Sequence, residues 1–116
     1  MAKYFYKLGS ETLELDVPKS VYCPEEDSEL MAKIIANHNL RGMKLLEMGC
    51  GSGLLSIIAN RVGAEVTACD INPEAVESTQ QNAEKHNAKI SLIHSNLFKN
   101  ISKENKFDII IFNPPY

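Results

Sequence analysis

The feature that most constrains the fold is a repeating alternation of short apolar strands and helices from residue 43 onward. Strands are predicted at Lys44–Met48, Glu65–Cys69, Ile90–Ile93 and Phe107–Phe112, and the helices between the first three at 54–59 and 73–86. Strands that alternate with helices at this spacing form parallel sheets with right-handed crossovers. The pattern therefore predicts an α/β protein with a doubly wound parallel sheet in the order 3-2-1-4. The fourth strand, β-branched and without alternation, is expected to be buried on both faces.

The residues before this repeat predict a β-hairpin and a helix. Two alternating runs in Lys3–Val17 flank Gly9-Ser10, a pair that suits a tight turn. A helix is expected over Glu25–Asn37, because acidic residues crowd its first turn and apolar residues share one face. That face is formed by Leu30, Met31, Ile34 and Ile35. We expect a single domain over residues 1–116, with the hairpin and helix in 3–40 and the core in 43–116.

Composition narrows the classes of protein that remain. The chain has 116 residues, 44% of them hydrophobic, and a net charge of −3. No overall positive field favours nucleic acid, so any such contact must be local. The longest apolar runs are too short to cross a bilayer, so we expect a cytoplasmic protein without a membrane partner. The odd, widely spaced cysteines argue against a disulfide framework or a zinc site and are expected to be buried free thiols.

A glycine-rich turn after the first strand predicts a ligand site. In such sheets the ligand crevice lies beyond the carboxyl ends of the strands, where Gly49, Gly51 and Gly53 fall. Asp70 follows at the end of the next strand, from which a carboxylate can accept both hydrogen bonds of a ribose diol. Together they predict a site for a nucleoside-type cofactor. The alternative is an ordinary tight turn, with Asp70 serving only as a helix cap.

Details of the turn indicate which cofactor. A dinucleotide fingerprint needs glycine where Leu54 stands, and a P-loop needs Gly-Lys-Ser/Thr, which is absent. Glu47 instead lies two residues before the first glycine, a position that suits a ligand with positive charge and no phosphates. S-adenosyl-L-methionine, with its sulfonium and amino groups, is such a ligand.

The tetrapeptide Asn113-Pro114-Pro115-Tyr116 follows the fourth strand, at the same crevice. The two prolines stiffen the turn and leave carbonyl acceptors, the asparagine amide adds another acceptor, and the tyrosine adds a flat face. These groups can hold a planar NH2 group with its nitrogen aimed at a methyl donor, so that rate comes from orientation. The alternative for the tetrapeptide is an ordinary proline turn at the end of a strand.

These segments resemble three motifs of the amino-methylating class I methyltransferases, whose core is a Rossmann-like sheet. The matching stretches are Glu47–Gly53, Asp70–Pro73 and Asn113–Tyr116. Val21–Ser28 further resembles the V-Y-x-P-x-E-D-[ST] element of the short archaeal and eukaryotic HemK-like glutamine methyltransferases. The resemblance covers nearly the whole chain, although that family continues for several strands and helices beyond Asn-Pro-Pro-Tyr.

The resemblance implies a role for each matched residue. Glu47 and Gly49 would contact the methionine part of the cofactor, Asp70 its ribose, Asn96 and Leu97 its adenine, and Ser28 its edge. Asn113 would bind the acceptor amide. The implied cofactor site is Ser28, Glu47, Gly49, Gly51, Gly53, Asp70, Ile71, Asn96 and Leu97, and the implied catalytic set is Asn113, Pro114, Pro115 and Tyr116. Asn96 stands where the family usually has aspartate, so weaker adenine binding is expected.

The implied function is N-methylation of a glutamine side-chain amide in a translation release factor, with a small activator subunit as a further partner. Two alternatives stay open at this point. One is an amino-methyltransferase of nucleic acid, because the tetrapeptide also suits a flipped base. The other is a catalytically incomplete cofactor-binding fragment. With no strand following the fourth one, its edge is expected to be unpaired and to cause self-association.

Overall fold

A computed structural model of the protein describes residues 1–113; Pro114, Pro115 and Tyr116 lie outside the described residues. The chain begins with a hairpin of β1 (Ala2–Leu8) and β2 (Glu11–Val17), followed by α1 (Glu26–Ala36). Next come β3 (Lys44–Met48), α2 (Leu54–Arg61), β4 (Glu65–Asp70), α3 (Pro73–Lys85), β5 (Ile90–His94) and β6 (Ile109–Phe112). The predicted hairpin, helices and strands are thus present, and most bounds differ from the prediction by one or two residues.

The main sheet is parallel and has the order β5-β4-β3-β6, which confirms the predicted order and the α/β class. Met48, the last residue of β3, is in register with Cys69 of β4 and Phe112 of β6. The carboxyl ends of the three strands are therefore level. Gly49, Asp70 and Asn113, which lie at these ends, meet at one edge of the sheet.

The helices and the hairpin cover one face of the sheet. Strand residues such as Leu45, Val66 and Ile111 pack there with residues of all three helices and with β2. β2 contributes Leu13, Leu15 and Val17, of which at most 2% is exposed, so the hairpin is part of the main core. The opposite face carries a smaller cluster of strand and loop residues: Leu46, Met48, Cys69 and Ile101.

The three cysteines differ in their exposure to solvent. Cys50 and Cys69 are buried free thiols as expected, but Cys23 is exposed, so the expectation for Cys23 was wrong. It lies in the irregular segment between the hairpin and α1, which the core does not cover. No described helix is both long and apolar enough to cross a membrane.

The orientation of α1 differs from the prediction. Leu30 and Ile34 are 63% and 53% exposed, so they do not form the inward face. The helix instead buries Ser28, Ala32 and Ile35, which recur at the same helical spacing. The sequence could not show this because both faces carry apolar residues. Packing of the Ala32 side against α2 selects the face that turns inward.

The fourth strand of the parallel sheet was also predicted incorrectly. β6 begins at Ile109, not at Phe107, and it is not buried on both faces. Ile111 is buried against the helices, whereas Ile110 and Phe112 are each 51% exposed on the opposite face. Among the described residues β6 pairs only with β3, so its other edge carries unpaired backbone groups.

We expect this edge of β6 to cause self-association of the 116-residue chain. Unpaired strand edges beside exposed apolar side chains form templates for pairing with another molecule. Replacing Ile110 with lysine places a charge on the exposed face and should shift the chain toward monomer by about tenfold or more in dissociation constant. Analytical ultracentrifugation measures the shift. A wild-type chain that remains monomeric at high concentration would contradict the expectation.

Candidate functional site

A cavity of about 410 Å³ opens at the carboxyl ends of β3, β4 and β6. Its volume lies within the range of roughly 300 to 1,000 Å³ that is typical of ligand sites. All but one of the site residues predicted within residues 1–113 line this cavity: Ser28, Glu47, Gly49, Gly51, Asp70, Ile71, Asn96, Leu97 and Asn113. The exception is Gly53, which does not line it. Residues predicted from separate stretches of sequence thus share one cavity.

The glycine turn, residues 49–53, has a backbone that side chains rarely permit. Gly51 and Gly53 have φ angles of 56° and 96°, in the left-handed region that favours glycine. A Cβ on Gly53 would also lie 2.9 Å from Cγ2 of Thr79. The turn is tied to β4 because the N–H groups of Gly49 and Cys50 both donate to the carbonyl of Cys69, at 2.9 and 3.1 Å.

The Asp70 carboxylate lies beside the glycine turn. Its Oδ2 accepts from the Gly51 N–H at 3.1 Å and its Oδ1 accepts from the Asn72 N–H at 3.0 Å. Each carboxylate oxygen can accept a further bond, so both remain able to bind two ligand hydroxyls. The cap of α3 is Asn72, whose side chain accepts from the Glu74 N–H. Asp70 is therefore not the helix cap that the alternative interpretation required.

Glu47 has the most strongly perturbed pKa of the carboxyl groups that line the cavity. Its side chain is 3% exposed, and Oε1 accepts a 2.6 Å hydrogen bond from the Ser56 hydroxyl on α2. Burial raises the pKa of Glu47 to about 8 although the Ser56 bond opposes the shift. The carboxyl is consequently neutral at pH 7 in the free chain. A cation in the cavity would favour its ionised form.

The loop after β5 forms another wall of the cavity. Asn96 and Leu97 both line it and are exposed. Leu97 has a φ of 53°, an uncommon conformation for a bulky residue. The Ser95 hydroxyl donates to the Leu97 carbonyl at 2.6 Å and accepts from the Asn100 N–H at 3.0 Å. These two bonds hold the loop in place around Leu97.

Asn113 meets Ser28 across the cavity. The Asn113 Nδ2 donates to the Ser28 hydroxyl at 3.2 Å, and Ser28 is 9% exposed. This bond engages the NH2 side of the amide and leaves the Oδ1 carbonyl as the acceptor for a ligand. The contact forms because α1 buries the face that carries Ser28, Ala32 and Ile35, so that Ser28 points toward the cavity. Pro114, Pro115 and Tyr116, also predicted here, lie outside the described residues.

The sequence analysis did not identify three buried polar residues that form hydrogen bonds to the site from the core side. Ser56 bonds to Glu47, and Thr79 and Asn82 bond to carbonyls of the glycine turn. All three are at most 1% exposed. A signal was available, since Thr79 and Asn82 follow Ala75 at the spacing of one helix face. The buried face of α3 consists of Ala75, Ser78, Thr79, Asn82 and Ala83, whereas Val76 is only half-buried.

Comparison with known families agrees with this geometry. Residues 19–116 match the family described as "Methyltransferase small domain". The chain belongs to this family. The match begins after the hairpin and includes α1, every strand of the parallel sheet and the whole cavity.

Two curated relatives and one solved structure illustrate the similarity. A provisionally named protein N5-glutamine methyltransferase of Methanocaldococcus jannaschii is 41% identical over 107 residues, covering 91% of this chain and 52% of that protein. The release factor glutamine methyltransferase of Streptococcus pneumoniae is 37% identical over 107 residues, covering 90% of this chain and 38% of that protein. The chain thus spans about half or less of the length of these relatives.

The solved structure is the T. thermophilus 16S rRNA N2 methyltransferase in complex with AdoMet and guanosine. It superposes with a TM-score of 0.86 at 24% identity, covering 99% of this chain and 33% of that one. At this level of identity the similarity concerns the fold. The two chains therefore share one fold, a Rossmann-like core around a parallel sheet.

Proposed function

We propose that this chain binds S-adenosylmethionine and forms the cofactor half of an N-methyltransferase for a glutamine side-chain amide in a translation release factor. The observation that carries the proposal is the cavity itself, which gathers a buried acid, a second carboxylate and an oriented asparagine amide. The named functions of the M. jannaschii and S. pneumoniae relatives support the same choice. The reaction would take place in the cytoplasm, where translation occurs.

The donor set of the cavity fits S-adenosylmethionine. Glu47 is a buried carboxyl whose hydrogen-bond partner is a hydroxyl, and a cationic ligand group would compensate its charge. We assign the cationic methionine end of the cofactor to Glu47 and Gly49. α2 begins directly after the glycine turn, and its positive N-terminal end would stabilise the cofactor carboxylate.

The remaining walls suit the nucleoside part. Asp70 has two carboxylate oxygens that can accept from the ribose hydroxyls, and Ile71 beside it offers an exposed apolar side chain. We assign the adenine to the wall of Asn96 and Leu97. The Asn96 carbonyl would accept from the adenine amine, with a weaker bond than an aspartate would make.

Asn113 would orient the methyl acceptor. When bound, S-adenosylmethionine supplies an electrophilic methyl group on its sulfonium. Asn113 Oδ1 would accept one hydrogen of the substrate NH2 group, because the Ser28 bond engages the other side of its amide. From its place in the sequence we assign a second acceptor to the carbonyl of Pro114. Orientation of the nitrogen, and not acid or base chemistry, would then supply most of the rate.

The geometry of Asn113 suits two classes of methyl acceptor. The oriented asparagine suits any planar NH2 group, so it does not separate an amide from a nucleobase. The net charge of −3 offers no general attraction for nucleic acid, and the Val21–Ser28 segment resembles the glutamine methyltransferases. These two features favour a protein substrate.

Two measurements test the proposal. Calorimetry with S-adenosylmethionine and with NAD tests the cofactor, and binding of NAD alone would overturn it. The substrate assay offers the complete natural polypeptide a folded release factor, its Gln-to-Ala loop variant, and unmodified DNA and RNA, with radiolabelled cofactor. Label on the release factor that disappears in the loop variant is expected. Label on nucleic acid would establish the alternative substrate class. Cofactor binding by the complete polypeptide without transfer to any acceptor would contradict the proposed activity and favour a cofactor-binding protein that is not active by itself.

Replacing Asp70 with alanine should weaken S-adenosylmethionine binding by about tenfold to a hundredfold, because charge-assisted bonds to two hydroxyls are lost. Calorimetry gives the dissociation constants. Glu65→Ala is the matched control, because Glu65 is an exposed carboxylate at the first residue of β4, the end of the strand that lies away from the cavity. Equal affinity of Asp70→Ala and wild type would remove Asp70 from the proposed site.

A further inference from the structure

Two side chains of α3 hold the glycine turn from the side of the core. Thr79 Oγ1 donates to the Gly51 carbonyl at 2.9 Å, and Asn82 Nδ2 donates to the Ser52 carbonyl at 2.8 Å. Thr79 and Asn82 are 0% and 1% exposed. Consecutive peptide planes of the turn are therefore anchored by two different buried side chains.

This anchoring fixes what the turn presents to the cavity. In a trans peptide the carbonyl and the N–H point in opposite directions, so a carbonyl bound to α3 turns the N–H of its plane away from α3. Gly51 and Ser52 both line the cavity. The N–H of Gly53 donates to the Cys50 carbonyl at 2.9 Å, so the orientation of the Gly51–Ser52 plane, which carries the Ser52 N–H, decides which backbone groups a ligand meets.

The glycine turn also packs closely against α3. Thr79 leaves no room for a Cβ on residue 53, so glycine is required there. The Thr79 side chain therefore has two separable parts, a hydroxyl that bonds to Gly51 and a methyl that packs against Gly53. Substitutions can remove one part and keep the other.

Asn82 extends the connection to the hairpin. Its Oδ1 accepts from the Asp16 N–H at 2.9 Å, and its Nδ2 also donates to the Asp16 carbonyl at 3.0 Å. A single buried amide thus pairs with the backbone of β2 and with the glycine turn. The hairpin lies outside the family match, which begins at residue 19, yet it bonds to the same side chain as the turn.

We propose that Thr79 and Asn82 are positioning residues that hold the glycine turn in its ligand-binding conformation, with Asn82 itself held by its bonds to Asp16 of the hairpin. The proposal rests on the proposed binding of S-adenosylmethionine. Without these bonds, the glycines can sample other backbone conformations, and the ligand must select a fraction of the population. The apparent affinity is then the intrinsic affinity multiplied by that fraction.

Two substitutions of Thr79 separate positioning from packing. Thr79→Val keeps the shape and removes the hydroxyl, so S-adenosylmethionine should bind about fivefold to tenfold more weakly. Thr79→Ser keeps the hydroxyl and removes the methyl, so its affinity should stay within about twofold of wild type although its unfolding midpoint falls. If affinity follows the unfolding midpoint in both variants, the role of Thr79 is structural and the proposal is overturned.

A matched pair tests whether the turn depends on Asn82 itself. Asn82→Ala removes the bonds to both the turn and Asp16, and should weaken S-adenosylmethionine binding by about tenfold or more. Ser78→Ala is the control, because the buried Ser78 hydroxyl donates to the Asp16 carbonyl at 3.2 Å and, within residues 1–113, bonds to no group of the glycine turn. Its affinity should remain near that of wild type. Equal losses in the two variants would show that the turn gains nothing specific from Asn82.

Hydrogen exchange gives a readout that needs no ligand. The backbone amides of Gly51 and Gly53 donate to Asp70 Oδ2 and to the Cys50 carbonyl, and they should exchange faster in Thr79→Val and Asn82→Ala. Their exchange should be unchanged in Ser78→Ala, and the comparison is made in chains that remain folded. Unchanged exchange in both turn variants overturns the proposal even if affinity falls. If the wild-type chain binds no S-adenosylmethionine while the variants show the expected exchange pattern, the proposed function is contradicted. The anchoring of the turn by Thr79 and Asn82 is then still supported.

Discussion

Glu47→Gln is expected to abolish most of the pH dependence of folding stability between about pH 5 and pH 8. Burial raises the pKa of Glu47 to about 8, above its ordinary value of 4.5. Between these two values the folded state binds the proton and the unfolded state does not, so the free energy of unfolding decreases as pH rises. At pH 5 both side chains are neutral in the folded state and the two proteins should be nearly equally stable. At pH 8 the variant should be more stable by an amount on the order of 3 kcal/mol.

Ligand binding should follow the opposite trend with pH. If the cationic end of S-adenosylmethionine pairs with ionised Glu47, binding at pH 7 must release the proton that the free chain holds. Wild-type affinity should then rise about tenfold from pH 6 to pH 7. Glu47→Gln should bind S-adenosylmethionine about tenfold more weakly at pH 8 and show no such rise.

Urea denaturation across the pH range measures the first effect, and calorimetry in buffers of different ionisation enthalpy measures the proton release. The difference between wild type and variant isolates Glu47 from the other titrating groups. Glu104→Gln, an exposed carboxyl in the loop before β6, is the matched control and should change neither quantity. A wild-type chain with the same stability profile as Glu47→Gln would place the pKa of Glu47 near its ordinary value.

The sheet and the position of the site could be predicted because they depend on local patterns. Apolar runs, glycines with positive φ and the Asn72-Pro73 helix start are properties of consecutive residues. The order of the strands followed from the rules for crossover connections. Once the carboxyl ends were aligned, Glu47, Asp70 and Asn113 had to approach one another.

The predictions that failed depend on packing between distant elements. α1 carries apolar residues on two faces, and contact with α2 and Asn113 decides that Ser28 turns inward while Leu30 and Ile34 stay exposed. Likewise, a run of β-branched residues in β6 indicates a buried strand only when an element covers each face. The polar contacts of Thr79 and Asn82 were missed for a related reason, because their partners are backbone carbonyls.

Asn113→Ala is expected to reduce methyl transfer by about a hundredfold or more while S-adenosylmethionine affinity stays within about twofold of wild type. In the proposed arrangement, Asn113 would contribute an acceptor for the substrate NH2 group, whereas Glu47 and Asp70 would hold the cofactor. An unoriented acceptor nitrogen reaches the geometry for attack only rarely. Single-turnover transfer to a folded release factor, measured with the complete natural polypeptide, reports the chemical step.

The hydrogen bond from Asn113 Nδ2 to Ser28 makes a sharper version of this test available. Asn113→Asp keeps a carbonyl-type acceptor but replaces the NH2 donor by an oxygen, which repels the Ser28 oxygen unless the serine hydroxyl turns to donate. Its transfer rate should therefore lie between those of wild type and Asn113→Ala. Asn105→Ala, in the exposed loop before β6, is the matched control and should transfer at the wild-type rate. If Asn113→Ala lost cofactor affinity and transfer in equal proportion, Asn113 would belong to the cofactor site, and orientation of the acceptor would need another residue.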